Sequence, residues 1–285
     1  MKRIVAFLAC AFAVSFAAAQ QSNGLANPES IISDGKFLYV TNIGKKLEPV
    51  AKDGDGSISK LSLNGDIIEA NITKEILNAP KGTAIIKGVL YVADIDRIVG
   101  IELSTGNKVK EIDLAKQNVS FANDLEVKND HTLFLSETVP GSIIEVDLNT
   151  EAVTTIANVK GANGICYDAK RKKLYTCSFV FEDLKAGVLG VITWSDNKPV
   201  YEAIGAIGGA FDGLALLNDH TLLVSEWSAM DHAAGSLWKI DLQNSFSSKI
   251  ELPAIGGPAD FYFDAKQKKV FIPALLEGKM FTYSF

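Results

Sequence analysis

From Ala122 to Leu148 the sequence reads ANDLEVKNDHTLFLSETVPGSIIEVDL, one whole structural repeat. It opens on the corner Ala122-Asn123-Asp124-Leu125 and passes the turn-forming Asn129-Asp130-His131 into Leu133-Phe134-Leu135. After Gly141 it alternates along Ser142-Ile143-Ile144-Glu145-Val146-Asp147-Leu148. Asn and Asp side chains hydrogen-bond to nearby backbone in turns, and β-branched and aromatic residues fit a pleated surface, so the stretch reads as a β-meander. The same unit recurs at Pro28-Glu29-Ser30, Pro80-Lys81-Gly82, Ala162-Asn163-Gly164, Phe211-Asp212-Gly213 and Pro258-Ala259-Asp260. The corner residues 29, 81, 123, 163, 212 and 259 are spaced by 52, 42, 40, 49 and 47. A period of 40–50 residues in units of about four strands predicts an all-β, six-bladed β-propeller. The sixth unit ends at Phe285 after three recognisable strands, so the expected fourth is the mature N-terminus around Ser22 to Asn27, closing the last blade and hiding its edge.

Outward from the repeats, the first residues read differently. Lys2-Arg3, an apolar run from Ile4 to about Phe16 and Ala17-Ala18-Ala19 follow the charged, apolar, small-residue order of a signal peptide. The domain expectation is therefore a signal peptide over 1–19 and one propeller domain over 20–285, exported to the periplasm or secreted, with no membrane span after cleavage. The chain has 285 residues, 47% of them apolar, and a formal net charge of −6. Without Lys2 and Arg3, 26 basic residues face 34 acidic ones, a net −8. That sign argues against a partner that is nucleic acid. Cys166 and Cys177 flank the hairpin Tyr167 to Thr176, and the sequence leaves open whether they pair across neighbouring strands or stay as buried thiols.

The corner entering the innermost strand of a propeller blade opens onto the face where ligands sit. Glu29, Lys81, Asn123, Asn163, Asp212 and Ala259 should therefore form a ring. Two carboxylates and two carboxamides supply hard oxygen ligands without a thiol or an imidazole, which suits Ca²⁺ or Mg²⁺ better than Zn²⁺. These corners, with Glu29 opening the first repeat, resemble the senescence marker protein, gluconolactonase and luciferin-regenerating-enzyme group of six-bladed propellers. The resemblance implies Glu29, Asn163 and Asp212 as ligands of one divalent cation and Asn123 as an auxiliary contact. Ca²⁺ comes first, with Mg²⁺, Mn²⁺ or Zn²⁺ as alternatives. This sequence departs from the group's pattern in carrying Ser30 where Gly usually follows the Glu, and in lacking an Arg before Phe121-Ala122-Asn123.

A cation there would polarise a carbonyl and activate a bound water, the chemistry of a metal-dependent hydrolase acting on a lactone or small cyclic ester. Asp212 is then the expected general base and Lys81 the expected stabiliser of developing oxyanion charge. Lys81 has two further readings, as a grip for a substrate carboxylate or as a replacement for the ion through pairing with Glu29 or Asp212. His232, in the connection Glu226 to Ala234 on the ring's face, is a third candidate catalytic residue, as a proton shuttle. His131 and His220, both in Asn-Asp-His-Thr-Leu, read as turn residues on the opposite face. Asp53-Gly54-Asp55-Gly56 fails as a helix–loop–helix calcium loop, because Ala51 and Ser62 fall where Asp and Glu are required. The rival expectation is a non-catalytic scaffold whose loops Asn42–Gly56, Phe179–Gly187 and Glu226–Ala234 hold a small ligand, a glycan or a protein partner.

Overall fold

A computed structural model describes residues 20–285, so the segment read as an export signal lies outside the described residues. The chain is a β-propeller built almost wholly from antiparallel meanders. The first sheet comprises Pro28–Ser33, Phe37–Asn42, Ser57–Ser62 and Ile67–Glu69, in sequence order. Pro80–Ile86 to Lys108–Asp113 form the second sheet and Ala122–Asn129 to Val153–Asn158 the third, each with four strands in the same order.

The fourth sheet has seven strands, from Ala162–Asp168 to Ser247–Lys249. Its middle strand, Lys198–Asn218, runs for 21 residues and serves two neighbours. Lys198 to Gly209 pair with Gly187–Ser195, and Ala210 to Asn218 pair with Thr221–Trp227. Two repeats that the sequence separates are thus joined through one continuous strand, which bends at Gly205, where φ is +83°. The last sheet holds Tyr262–Asp264, Lys269–Ala274 and Lys279–Ser284, with Gln20–Asn23 on its outer edge. Gln20 lies opposite Thr282 and Asn23 opposite Lys279.

Apolar side chains fill the gaps between sheets. Tyr39 and Leu90 share one such cluster, Ile98 and Leu133 the next, Phe134 and Leu174 a third, and Val40 and Phe271 another between the first and last sheets. Within the seven-stranded sheet, Tyr175 and Leu222 belong to a common cluster, so its two halves face each other. The first strands of the repeats touch in a circle: Pro28–Ser33, Pro80–Ile86, Ala122–Asn129, Ala162–Asp168, the distal part of Lys198–Asn218, Tyr262–Asp264 and back to Pro28–Ser33. Among the described residues no helix is long and apolar enough to cross a membrane.

The N-terminal strand is held by more than its ladder. Leu25 is buried with Leu38, Phe271 and Met280, and the Ser22 hydroxyl donates to the Gly65 carbonyl. Losing a buried Leu costs ~2–5 kcal/mol, and a domain of this size shifts by roughly 2–4 °C per kcal/mol. Deletion of residues 20–27 should lower the melting temperature by about 10 °C, read by circular dichroism; an unchanged melt would show that the strand contributes nothing.

Candidate functional site

At the marker corners the first strands break register with their partners. The breaks fall between Pro28 and Ser30, Pro80 and Thr83, Ala122 and Leu125, Ala162 and Ile165, and Phe211 and Leu214. An unpaired residue in a bulged strand is re-aimed out of the ladder. Each break contains a marker residue, and the bulges bring Glu29, Lys81, Asn123, Asn163 and Asp212 to the floor of one cavity of about 240 Å³. All five are at most 6% exposed. Ala259, the sixth marker, is buried against the apolar side of the same region with Trp227 and Leu275.

The glycines after two markers follow from the close approach of neighbouring strands. A Cβ on Gly164 would sit 2.1 Å from the Asp212 carbonyl oxygen, and one on Gly213 would sit 2.7 Å from the Phe261 ring. Ser30 departs from this pattern because its hydroxyl has a partner: Oγ donates to Asp260 Oδ2 at 2.6 Å, alongside the bridge joining Ser30 to Asp260. Small polar side chains on the second strands tie the bulges together. Ser225 Oγ accepts the Gly213 N–H at 2.7 Å and donates to the Ala259 carbonyl, Thr41 Oγ1 donates to the Lys81 carbonyl, and Cys177 Sγ donates to the Asp212 carbonyl. Cys166 and Cys177 are therefore separate thiols, with Cys166 opposite Tyr175 and Cys177 committed to the site's backbone. Burial pushes both thiols well up, away from the thiolate form.

The floor is rich in unsatisfied acceptors. Glu29 Oε2, Asn163 Oδ1 and Asp212 Oδ1 are all buried without a hydrogen-bond partner. These are the three residues that the family resemblance singles out as cation ligands. Asn123 is oriented by a chain of donors: Thr138 Oγ1 donates to the Ala162 carbonyl at 2.9 Å, so it must accept from Asn123 Nδ2 at 2.8 Å. That fixes the amide group and leaves the Asn123 carbonyl oxygen as its acceptor end. Burial holds Glu29 and Asp212 well above the usual carboxylate range, and repulsion adds to it, from Asp212 and Asp260 on Glu29 and from Asp260 on Asp212. Among the described residues no three His, Cys, Asp or Glu side chains are placed to hold an ion. An ion on this floor would depend on the carboxamide oxygens as much as on the two carboxylates. A divalent cation fits that donor set, since it would satisfy three orphaned oxygens and offset the repulsion.

Lys81 does not take the ion's place by pairing with a carboxylate. Its Nζ donates to the Pro49 carbonyl at 2.6 Å and to the Ala79 carbonyl at 2.9 Å, and lies 4.9 Å from the centre of the Phe121 ring. Burial pushes it down to about 8, with Glu29 and Asp94 opposing the shift. The ammonium form prevails at neutral pH, with one of its three N–H groups not taken up by these carbonyls.

The structure does not bring His232 to this floor. Its side chain is 67% exposed, with Nδ1 2.6 Å from Asp231 Oδ1, while Met230 of the same loop lines the cavity. The three long loops all contribute apolar walls: Leu47 and Pro49 from the first, Phe179 and Phe181 from the second, Trp227 and Met230 from the third. The Asp53–Gly56 turn is tied to the loop that carries Leu47, with Asp55 Oδ2 accepting the Lys45 N–H at 2.9 Å. Ile43, Phe121 and Leu275 complete the lining, and no repeat position marks them in the sequence. Phe121 directly precedes a marker corner, which is the signal that would have found it.

Beneath the floor a smaller cavity of about 160 Å³ is lined in part by Asp124, Glu126 and Asp260. Burial raises all three carboxyls, Asp260 to about 7 and Glu126 to about 8. In the sequence Asp124 and Asp260 stand only as corner residues.

No protein-family model and no curated protein matches the sequence. Among solved structures, a luciferin-regenerating enzyme superposes with a TM-score of 0.67 over 94% of this chain and 95% of its own, at 12% identity. The β-propeller domain of Cps50 (Swd1) from Myceliophteria thermophila superposes with a TM-score of 0.63 over 94% and 99%, at 9% identity. At such identities the likeness concerns the fold, and on that ground the chain is a β-propeller whose neighbours include an enzyme of the group that its corner motifs resemble.

Proposed function

We propose that this chain is an exported six-bladed propeller, closed by its N-terminal strand, that hydrolyses a lactone or small cyclic ester with one divalent cation, Ca²⁺ in first place. The observation that carries the reading is the coincidence of three orphaned buried oxygens with Glu29, Asn163 and Asp212. The circle of six first strands and the pairing of Gln20–Asn23 with Lys279–Ser284 support the blade count and closure.

Glu29, Asn163, Asp212 and Asn123 would hold the ion. When bound, it would polarise the ester carbonyl and make a nearby water more acidic. Asp212 takes a proton from the attacking water as its oxygen bonds to the carbonyl carbon. The remaining N–H of Lys81 stabilises the negative charge that develops on the carbonyl oxygen. The ring C–O bond then breaks, the departing ring oxygen takes the proton from Asp212, and a hydroxy acid leaves. The apolar loops keep bulk water from this floor, which strengthens each of these interactions.

The test is lactone hydrolysis by purified residues 20–285, followed by acid release with EDTA and then with excess Ca²⁺. Activity that EDTA removes and Ca²⁺ restores is expected; turnover indifferent to both would sink the reading. The three loops meeting at the cavity mouth would also serve a non-catalytic scaffold, for which ligand binding without turnover is the mark.

Thr138 reaches the ion only through Asn123, as a positioning residue. Partners of metal ligands typically contribute 10–100-fold in affinity. Thr138→Val should therefore weaken Ca²⁺ binding by roughly tenfold, seen as a displaced midpoint in Ca²⁺-dependent melting, whereas Thr138→Ser should restore it.

A further inference from the structure

We propose that the cavity selects a substrate with an apolar, aromatic or hydrocarbon body and rejects polyhydroxylated sugar lactones; this rests on the cavity's being the ligand site and names the substrate class of the proposed hydrolase. The polar groups of the cavity are concentrated at one end. Glu29, Lys81, Asn123, Asn163 and Asp212 form the floor, each almost fully buried, and would be engaged around the reacting carbonyl. Above them the walls are apolar, and several donors that could have reached a substrate hydroxyl are already engaged. Trp227 Nε1 donates to the Pro258 carbonyl at 3.0 Å, Asn123 Nδ2 to Thr138, and two Lys81 N–H groups to backbone carbonyls. A sugar lactone seated here would bury hydroxyls without partners, a cost that weakens binding at every hydroxyl.

The walls offer instead a continuous aromatic surface. Phe121 stacks against Phe181 at 6.0 Å and 16°, Phe181 meets Phe179 at 5.0 Å, and Phe179 meets Trp227 edge-on at 5.5 Å. At the mouth Leu47, Phe181 and Met230 line the same cavity and remain 40%, 48% and 45% exposed. A row of large apolar side chains left in water and continuous with a buried aromatic wall is the surface that an apolar ligand would cover.

Two assays separate this inference from the hydrolase reading. Titration calorimetry with chroman, an aromatic cyclic ether that cannot be hydrolysed, is compared with 1,5-anhydroglucitol, a polyhydroxylated one. Chroman should bind and 1,5-anhydroglucitol should not, and Phe181→Asp or Met230→Asp, both at exposed positions, should weaken chroman at least tenfold while leaving the melt unchanged. Failure of chroman to bind, equal binding of the two ethers, or indifference to both substitutions overturns the inference. In hydrolysis, kcat/KM for dihydrocoumarin should exceed that for glucono-δ-lactone by at least 30-fold. If neither lactone is hydrolysed while chroman binds, the hydrolase reading falls and the ligand class stands. If both are hydrolysed alike, the ligand class falls and the hydrolase reading stands.

Discussion

Asp212→Ala is expected to abolish the Ca²⁺-dependent rise in melting temperature and to cost more than about 100-fold in lactone turnover, since even partners of a metal ligand contribute up to that factor. The wild-type shift has a calculable size. A ligand at 100 times its dissociation constant stabilises by roughly 2.7 kcal/mol, or about 5–11 °C for a domain of this size. The variant should show none of it, because one of three orphaned oxygens is gone and the remaining carboxylate, Glu29, is left with carboxamides only. The metal-free proteins discriminate loss of a site from loss of the fold. Burial and Asp260 penalise the Asp212 carboxylate, and its side chain lines an open cavity. In EDTA at pH 7 the variant should therefore melt at or above the wild type. A variant that melts well below it in EDTA would show instead that Asp212 is structural, and a retained Ca²⁺ shift would remove it from the ligand set.

The architecture was legible because a propeller repeats its instructions. Each corner pairs a turn-forming residue with a strand of alternating or β-branched residues, and six such corners at a period near 45 leave little else that the chain can form. What the corner positions could not disclose was the join between Gly187–Ser195 and Thr221–Trp227. There the outer strand of one repeat runs without interruption into the inner strand of the next. Nothing local marks this, since the continuity comes from ladders on both sides of the strand.

The site was legible in its polar half. Five markers reach one cavity floor because the bulge that bears each of them is a repeat feature, so equivalence in sequence became equivalence in space. The walls were harder to read. Phe181 sits on a loop placed by packing against Phe121 and Phe179, and Met230 on a loop whose lining role no local pattern announces. His232 illustrates the limit: it occupies the right loop, yet Met230 two residues earlier faces the cavity while the imidazole stands in water beside Asp231. Asp124 and Asp260 were hidden for another reason. A turn-forming Asp and a buried channel Asp look identical in sequence, and only the approach of neighbouring strands distinguishes them.

Those channel carboxyls predict that metal-free stability falls between pH 5 and pH 8. Burial raises Asp260 to about 7, against the stabilising hydrogen bond from Ser30, and raises Glu126 to about 8, against the Val127 N–H. Unfolded Asp and Glu titrate near 3.9 and 4.3, so the folded chain holds extra protons between those values and the raised ones. A carboxyl of this kind gives its full stabilisation below the unfolded value and loses it as pH rises through the folded value. The window for Asp260 closes at about 7 and that for Glu126 at about 8. One pKa unit is worth ~1.4 kcal/mol; with some access to water through the lower cavity, the two groups together should cost about 2–4 kcal/mol across the window. Carboxylates held low by hydrogen bonds, such as Asp34 and Asp168, have their effect only below about pH 4 and do not compete. Asp260→Asn removes one titrating group while its carboxamide oxygen can still accept from Ser30. It should raise the melting temperature at pH 8 by several degrees and leave it nearly unchanged at pH 4.5. Denaturant unfolding in EDTA across this range measures the slope directly, and stability that stays flat or climbs from pH 5 to pH 8 would mean that these carboxyls are ionised in the folded chain and that the channel is wetter than its packing implies.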